Sequence, residues 1–177
     1  MSVNHQITIA GFGGQGIQFT GKFLIYAGMQ AGYEVTCIPS YGPEMRGGTA
    51  SCSVVVSDRQ VGSPIVTMAD VVIVMNKPSL TKFLPCVKKG GYIFVNSSLI
   101  DAKVDRDDIN VVYVPANEIA EANKNGRSAN IVMFGAYVKH AGVTSYDTAV
   151  SVLKHMFEKK PAVLESVMKC FEAGYAL

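Results

Sequence analysis

The chain has 177 residues, 49% of them hydrophobic and 17% charged, which suits a single packed domain over residues 1–177 and argues against disorder. Against 14 acidic residues stand 16 basic ones, a net charge of +2, too balanced for an electrostatic nucleic-acid binder. Mean hydropathy is +0.23, yet no apolar run approaches the roughly 20 residues that span a bilayer, and the polar start Met1–Gln6 lacks the basic and apolar regions of an export signal. A cytoplasmic protein with neither a membrane nor a nucleic-acid partner is expected.

Gln6–Ala10 (Q-I-T-I-A) is a short β-branched run, followed by a glycine-rich turn, Gly11-Phe-Gly-Gly-Gln-Gly16. Ile17–Ala31 has helical spacing, with Ile17, Gly21, Leu24 and Gly28 on one face. The two small residues would let that face sit close to a sheet. Phe19, Phe23 and Tyr26 make a second apolar face, open to this protein or to a partner. Glu34–Pro39 reads as a second strand and Thr49–Ser57 as a third, with the special loop Ser40–Gly48 between them. Ser57-Asp-Arg-Gln predicts a turn into a short return strand before Pro64, making part of the sheet antiparallel.

Val71–Met75 is a continuous apolar run of the kind found in buried parallel strands. A short helix near Ser79–Cys86 follows. Gly90-Gly91 breaks the chain before a buried strand at Tyr92–Val95, and Val111–Val114 is the last strand. Helices are predicted over Ala116–Asn123, Asn130–Ala141, Ser145–Lys159 and Pro161–Ala173. The third begins with a capping-box-like Thr144-Ser-Tyr-Asp147, and Pro161 suits the first turn of the fourth. Alternating strands and helices indicate an α/β fold: three layers, α/β/α, around a mostly parallel but mixed sheet with a Rossmann-like start.

The 4 cysteines (Cys37, Cys52, Cys86, Cys170) and 3 histidines (His5, His140, His155) are dispersed. No CxxC or other paired spacing marks a metal or iron–sulfur site, so buried free thiols are expected. His140 and His155, on helical segments, suit surface or boundary positions. No nucleophile motif or acid–base constellation emerges, and no catalytic or metal-binding residue is assigned.

Gly11, Gly13 and Gly16 fit a strand–GxGxxG–helix pattern, in which glycines allow close backbone approach and the helix start offers free N–H groups to an anion. Three readings stand. A dinucleotide would need an acidic residue at the end of the second strand, where the chain reads Cys37-Ile-Pro-Ser40 and Glu44 comes only deep in the loop. The glycines could serve helix–sheet packing alone. Or the turn, with Gly14 and Gln15, binds a phosphate or carboxylate, including one shared with a partner subunit.

The second loop, Tyr41-Gly-Pro-Glu-Met-Arg-Gly-Gly48, follows a strand expected to run in the same direction as the first, so the two loops should meet on one edge. Arg46 there could bind phosphate or carboxylate in bidentate fashion, or pair with Glu44. Gly47 and Gly48 complete the loop. Tyr41 could stack on a ligand or pack internally.

Gly11–Gly16, the helix with Gly21, and Pro39-Ser-Tyr-Gly-Pro-Glu-Met-Arg-Gly-Gly48 together resemble the gamma subunit of 2-oxoacid:ferredoxin oxidoreductases. The resemblance continues through Asp70–Met75, the glycine pair before Tyr92-Ile-Phe-Val, and Asn130-Ile-Val-Met-Phe-Gly135, and so spans nearly the whole chain. The second loop looks most like that of the 2-oxoglutarate and branched-chain ketoacid members, with pyruvate enzymes carrying the same module. The resemblance implies coenzyme A-dependent oxidative decarboxylation of a 2-oxoacid to acyl-CoA and CO2, with reduction of ferredoxin. It implies that thiamine diphosphate, magnesium and [4Fe–4S] clusters reside in alpha, beta and delta or equivalent subunits. This sequence has no GDG-type thiamine diphosphate motif and no ferredoxin-like cysteine spacing, so the chain is expected to bind no cofactor alone and to be inactive by itself. The cofactor-facing residues implied are Gly11, Gly13, Gly14, Gln15, Gly16, Tyr41, Glu44, Arg46, Gly47 and Gly48. The competing expectation is a free-standing Rossmann-type dinucleotide-binding redox protein.

Overall fold

A computed structural model describes residues 3–41 and 49–177. Among them runs one six-stranded sheet in the order β2-β3-β1-β4-β5-β6. β1 (Asn4–Phe12), β4 (Ala69–Val74), β5 (Val87–Asn96) and β6 (Asn110–Val114) are mutually parallel neighbours. β3 (Thr49–Ser57) lies antiparallel to both β1 and β2 (Glu34–Tyr41). The antiparallel part of the sheet is therefore β3 itself, inserted between β1 and β2. The return strand predicted before Pro64 does not form: residues 58–68 contain no strand, because β3 has already spent its two edges on β1 and β2.

β1 and β2 both run antiparallel to β3 and hence parallel to each other, so the two glycine segments leave the sheet at the same end, as expected. β2 is an edge strand, which accommodates Pro39 because no ladder bond is demanded on its outer side. Gly90-Gly91 does not break the chain: both glycines lie inside β5, Gly90 with φ +77°. The Gly90 N–H donates to the Asp108 carbonyl, which keeps the strand continuous through the irregularity.

Side-chain alternation along the central strands sorts the core into two parts. Ile7 and Ile9 of β1, Val71 and Ile73 of β4 and Phe94 of β5 face one cluster. Val72 and Val74 of β4, with Ile93 and Val95 of β5, face the other. β4 is thus buried on both sides, the physical reason for its unbroken apolar run. The first face carries α1 (Ile17–Gln30), α3 (Ala116–Ala122), α4 (Ala129–His140), α5 (Tyr146–Phe157) and α6 (Pro161–Tyr175). The second carries the short α2 (Lys77–Phe83), the turn after it and irregular chain including Ala102, Val104 and Ile109. The expected three layers are present, with unequal thickness.

α1 sits on the sheet through its glycines. A Cβ on Gly21 would lie 2.6 Å from Cys52 Sγ, and one on Gly28 would lie 2.6 Å from Val35 Cγ2. Its second apolar face is partly covered within the chain: Phe23 stacks on Phe134 of α4 with centroids 5.3 Å apart, and Phe19 meets Phe157 of α5 edge-on at 5.8 Å. Phe19, Tyr26 and Met29 on that side stay exposed.

α4 is buried from Ala129 to Val138, and it crosses α6 through glycines. A Cβ on Gly135 would fall on the Phe171 carbonyl oxygen, and one on Gly174 on that of Val132. α5 starts with Ser145, whose side chain accepts from the Thr148 N–H at 3.1 Å. The cap frame is thus Ser145–Thr148, one residue later than the Thr144–Asp147 pattern predicted, because Ser145 has the extended backbone and the accepting hydroxyl of an N-cap. Asn76 caps α2 in the same way through Ser79. No helix of the described residues is long and apolar enough to cross a membrane.

Candidate functional site

In an open α/β sheet, ligands gather where neighbouring parallel strands send their connections to opposite faces. Here that point lies between the ends of β1 and β4, whose following helices, α1 and α2, cover different faces. The crevice is closed by Gln15. Its Oε1 accepts the Phe12 N–H at 2.6 Å and its Nε2 donates to the Met75 carbonyl at 3.1 Å. Gly11 makes room for this bridge, since a Cβ there would lie 2.6 Å from Gln15 Oε1 and 2.9 Å from Met75 Cβ. A dinucleotide pyrophosphate needs that space. Gln15 filling it, together with the absence of an acidic residue through Tyr41 at the end of β2, leaves the free-standing dinucleotide binder without support.

The other glycines divide the remaining work. Gly14 has φ +99° with open space around it, and Gly16 has φ +76° as the N-cap of α1, conformations that disfavour side chains. Asn130 of α4 packs on Gly16, where a Cβ would lie 2.7 Å from its amide. The first turn of α1 contains no acidic residue, and no side chain caps it. Its N–H groups therefore keep their attraction for an anion.

Above this helix start an open cleft of ≈ 370 Å³ is lined by Phe12, Gly13, Gly14, Gly16, Tyr41 and Thr49, with Gln18 and Lys22 on its helical wall. Gly11 and Gln15 lie beneath as support. Tyr41 is 62% exposed, which excludes the internal packing role and leaves its ring available to the cleft. Glu44, Arg46, Gly47 and Gly48 lie outside the described residues.

Lys22 was not singled out in the sequence, although it is the one charged side chain of Ile17–Gln30 and stands one helical turn beyond Gln18. Gln18 itself is tied down, Nε2 donating to the Ser51 carbonyl at 3.0 Å. A neighbouring cleft of ≈ 440 Å³ shares Gly16 and Phe19 and adds Arg127, Ser128, Asn130 and Lys160. Lys22, Arg127 and Lys160 have no ion-pair partner among the described residues. Nothing in the local sequence could have revealed Arg127 and Lys160, because only the packing of α4 and α6 brings them to the start of α1.

The histidines stand apart from this edge. His140 and His155 are exposed, as expected. His5, on β1 at the opposite end from the glycine turn, has its pKa lowered by burial and by Lys88, against an upward pull from Asp70. Among the described residues no three His, Cys, Asp or Glu side chains converge as metal ligands.

This fold and edge define a class. Residues 6–177 match the family model described as pyruvate ferredoxin/flavodoxin oxidoreductase, and the chain belongs to that family. Within the family it is similar to the following three proteins. It is 37% identical over 171 residues to the ketoisovalerate oxidoreductase subunit VorA of Methanothermobacter marburgensis, covering 96% of this chain and 35% of that protein. It superposes with a TM-score of 0.89 and 27% identity on the 2-oxoglutarate:ferredoxin oxidoreductase of Magnetococcus marinus, solved with 2-oxoglutarate, coenzyme A and succinyl-CoA bound, covering 99% of this chain and 31% of that one. It also superposes on the gamma subunit of a keto/oxoacid ferredoxin oxidoreductase from Geobacter sulfurreducens, at a TM-score of 0.82 and 27% identity, over 97% of this chain and 96% of that subunit. The chain thus spans about a third of VorA and of the Magnetococcus chain, and nearly the whole of the Geobacter gamma subunit.

Proposed function

We propose that this chain acts as the gamma-type component of a 2-oxoacid:ferredoxin oxidoreductase of the 2-oxoglutarate or ketoisovalerate type. The assembled enzyme would convert a 2-oxoacid and coenzyme A to acyl-CoA and CO2 while reducing ferredoxin. Thiamine diphosphate, magnesium and [4Fe–4S] clusters would be held by alpha, beta and delta-type partners, and they supply the decarboxylation and the electron transfer. Among the described residues no donor set suits a cluster, and that chemistry would fall to the partners. Its described residues offer a binding edge: Tyr41 for stacking, the first-turn N–H groups of α1, and the unpaired cations Lys22, Arg127 and Lys160.

The observation that carries this reading is the cation-flanked helix start beside a dinucleotide crevice already filled by Gln15. Such an edge suits the phosphates of coenzyme A, the ligand named for the Magnetococcus enzyme. Glu44, Arg46, Gly47 and Gly48 lie outside the described residues, and their part in this binding is proposed from the sequence alone. Arg46→Ala in the reconstituted complex tests this. A raised KM for coenzyme A with assembly intact supports it; an unchanged KM removes Arg46 from the role. Oxidation of a 2-oxoacid by the purified chain alone would refute the division of labour.

A further inference from the structure

Two cysteines that the sequence places fifteen positions apart meet beneath α1. Cys37 lies on β2 and Cys52 on β3. Cys37 pairs in register with Val54, and Cys52 with Pro39, so the two thiols face each other diagonally across the ladder. Their Sγ atoms are 3.0 Å apart, inside the ~3.5–4.0 Å at which even smaller carbon atoms rest in contact. Cys52 is fully buried and Cys37 half-buried. The helix above them is glycine at the one point that matters, since a Cβ on Gly21 would lie 2.6 Å from Cys52 Sγ and 3.7 Å from Cys37 Sγ. Closing a disulfide, whose sulfurs sit at about 2.05 Å, asks the two sulfurs to move by about 1 Å in total.

We propose that Cys37 and Cys52 form a reversible disulfide by exchange with a small-molecule disulfide. Cys37, the less buried thiol, gives up its proton to solvent and attacks one sulfur of the small disulfide. That S–S bond breaks, a mixed disulfide forms on Cys37, and one small thiolate departs. Cys52 then gives up its proton and attacks Cys37 Sγ, forming the internal bond and expelling the second small thiolate. The two protein thiols lose two electrons, the small disulfide gains them, and the two released protons end on the two small thiols. Burial and the Cys37 sulfur push the Cys52 thiol well above its usual pKa, which makes it a poor first attacker and suits it to the second, intramolecular step, where proximity compensates.

The bond would sit where β2 and β3 flank residues 42–48. It would therefore fix the separation of the two arms from which the second glycine segment departs and to which it returns. If that segment serves the edge proposed above, oxidation sets the geometry of that edge; the cross-link itself is independent of that reading.

The test is incubation of the full chain with oxidised glutathione at mildly alkaline pH, trapping of free thiols with N-ethylmaleimide, and peptide mapping by mass spectrometry without reductant. The expected result is loss of two hydrogen masses, a peptide joining Cys37 to Cys52, reversal by dithiothreitol, and loss of the joined peptide in Cys37→Ser. A stable glutathione adduct on Cys37 with Cys52 free would overturn the proposal, as would bonds confined to Cys86 or Cys170, or four unreacted thiols. The map of the unaltered protein decides the matter even if Cys37→Ser fails to fold. Turnover of the oxidised and reduced complexes is a separate measurement: a joined peptide with equal turnover keeps the disulfide and removes its influence on the edge.

Discussion

Gln15 donates from Nε2 to the Met75 carbonyl at 3.1 Å while its Oε1 accepts the Phe12 N–H, so one side chain ties the end of β1 to the end of β4. It converts the point where the fold would admit a dinucleotide into a packed joint. Gln15→Ala should leave both backbone groups short of a partner and cost about 1–3 kcal/mol of stability, read from urea unfolding midpoints. Gln15→Glu should be nearly as damaging, since a carboxylate cannot donate to Met75. If Gln15→Ala instead gains tight NADH binding with stability unchanged, the joint is not structural.

Gly174 marks the α4–α6 crossing, where an added methyl meets the Val132 carbonyl rather than a side chain able to swing away. Overpacking against backbone should put Gly174→Ala at about 3 kcal/mol or more. Gly32, with open space around it but φ +83°, should show a smaller strain-derived loss when changed to Ala, about 1 kcal/mol. Parallel thermal melts of the two variants check the order; equal effects would contradict the crossing geometry.

His5 links stability to pH. Burial is the main cause of its lowered pKa, so the folded protein prefers the neutral ring more strongly than the unfolded chain does, whose reference value is 6.5. Above that value neither state is protonated and the stability is intact. As pH falls through 6.5 toward the depressed folded value, the unfolded chain takes up the proton first and stability declines; below the folded value this contribution levels off. Urea unfolding across that range should show the decline, and His5→Gln should flatten it. An unchanged slope in the variant would assign the effect to other groups.

Lys22 gives the edge a readable charge. If it contacts a phosphate of coenzyme A, Lys22→Glu should remove about 1.5–3 kcal/mol of binding, about ten- to a hundredfold in KM for coenzyme A, with assembly of the complex preserved. Salt should weaken the unaltered enzyme's affinity more than the variant's. A KM within twofold of the original would place the ligand elsewhere on this edge or on a partner.

Much of the architecture was legible because it depends on local pattern. Val71–Val74 reads as doubly buried from its unbroken apolar run, and Gly21 and Gly28 announce close helix–sheet contact by their spacing on one face of α1. The predicted return strand failed because nothing local says that β3 already has partners on both sides. The cap of α5 slipped by one residue because Thr144 and Ser145 are chemically equivalent candidates and only backbone conformation chooses between them.

By itself the sequence determined the family, the direction of the strands that carry the two glycine segments, and the residue types needed for tight turns, since these follow from spacing and from what a missing Cβ permits. Tertiary structure alone decided that Gln15 plugs the crevice, that Arg127 and Lys160 join Lys22 around the start of α1, and that Cys37 and Cys52 meet. Those relations are set by strand order and helix crossing. They bring together residues far apart along the chain, whose proximity no local periodicity encodes.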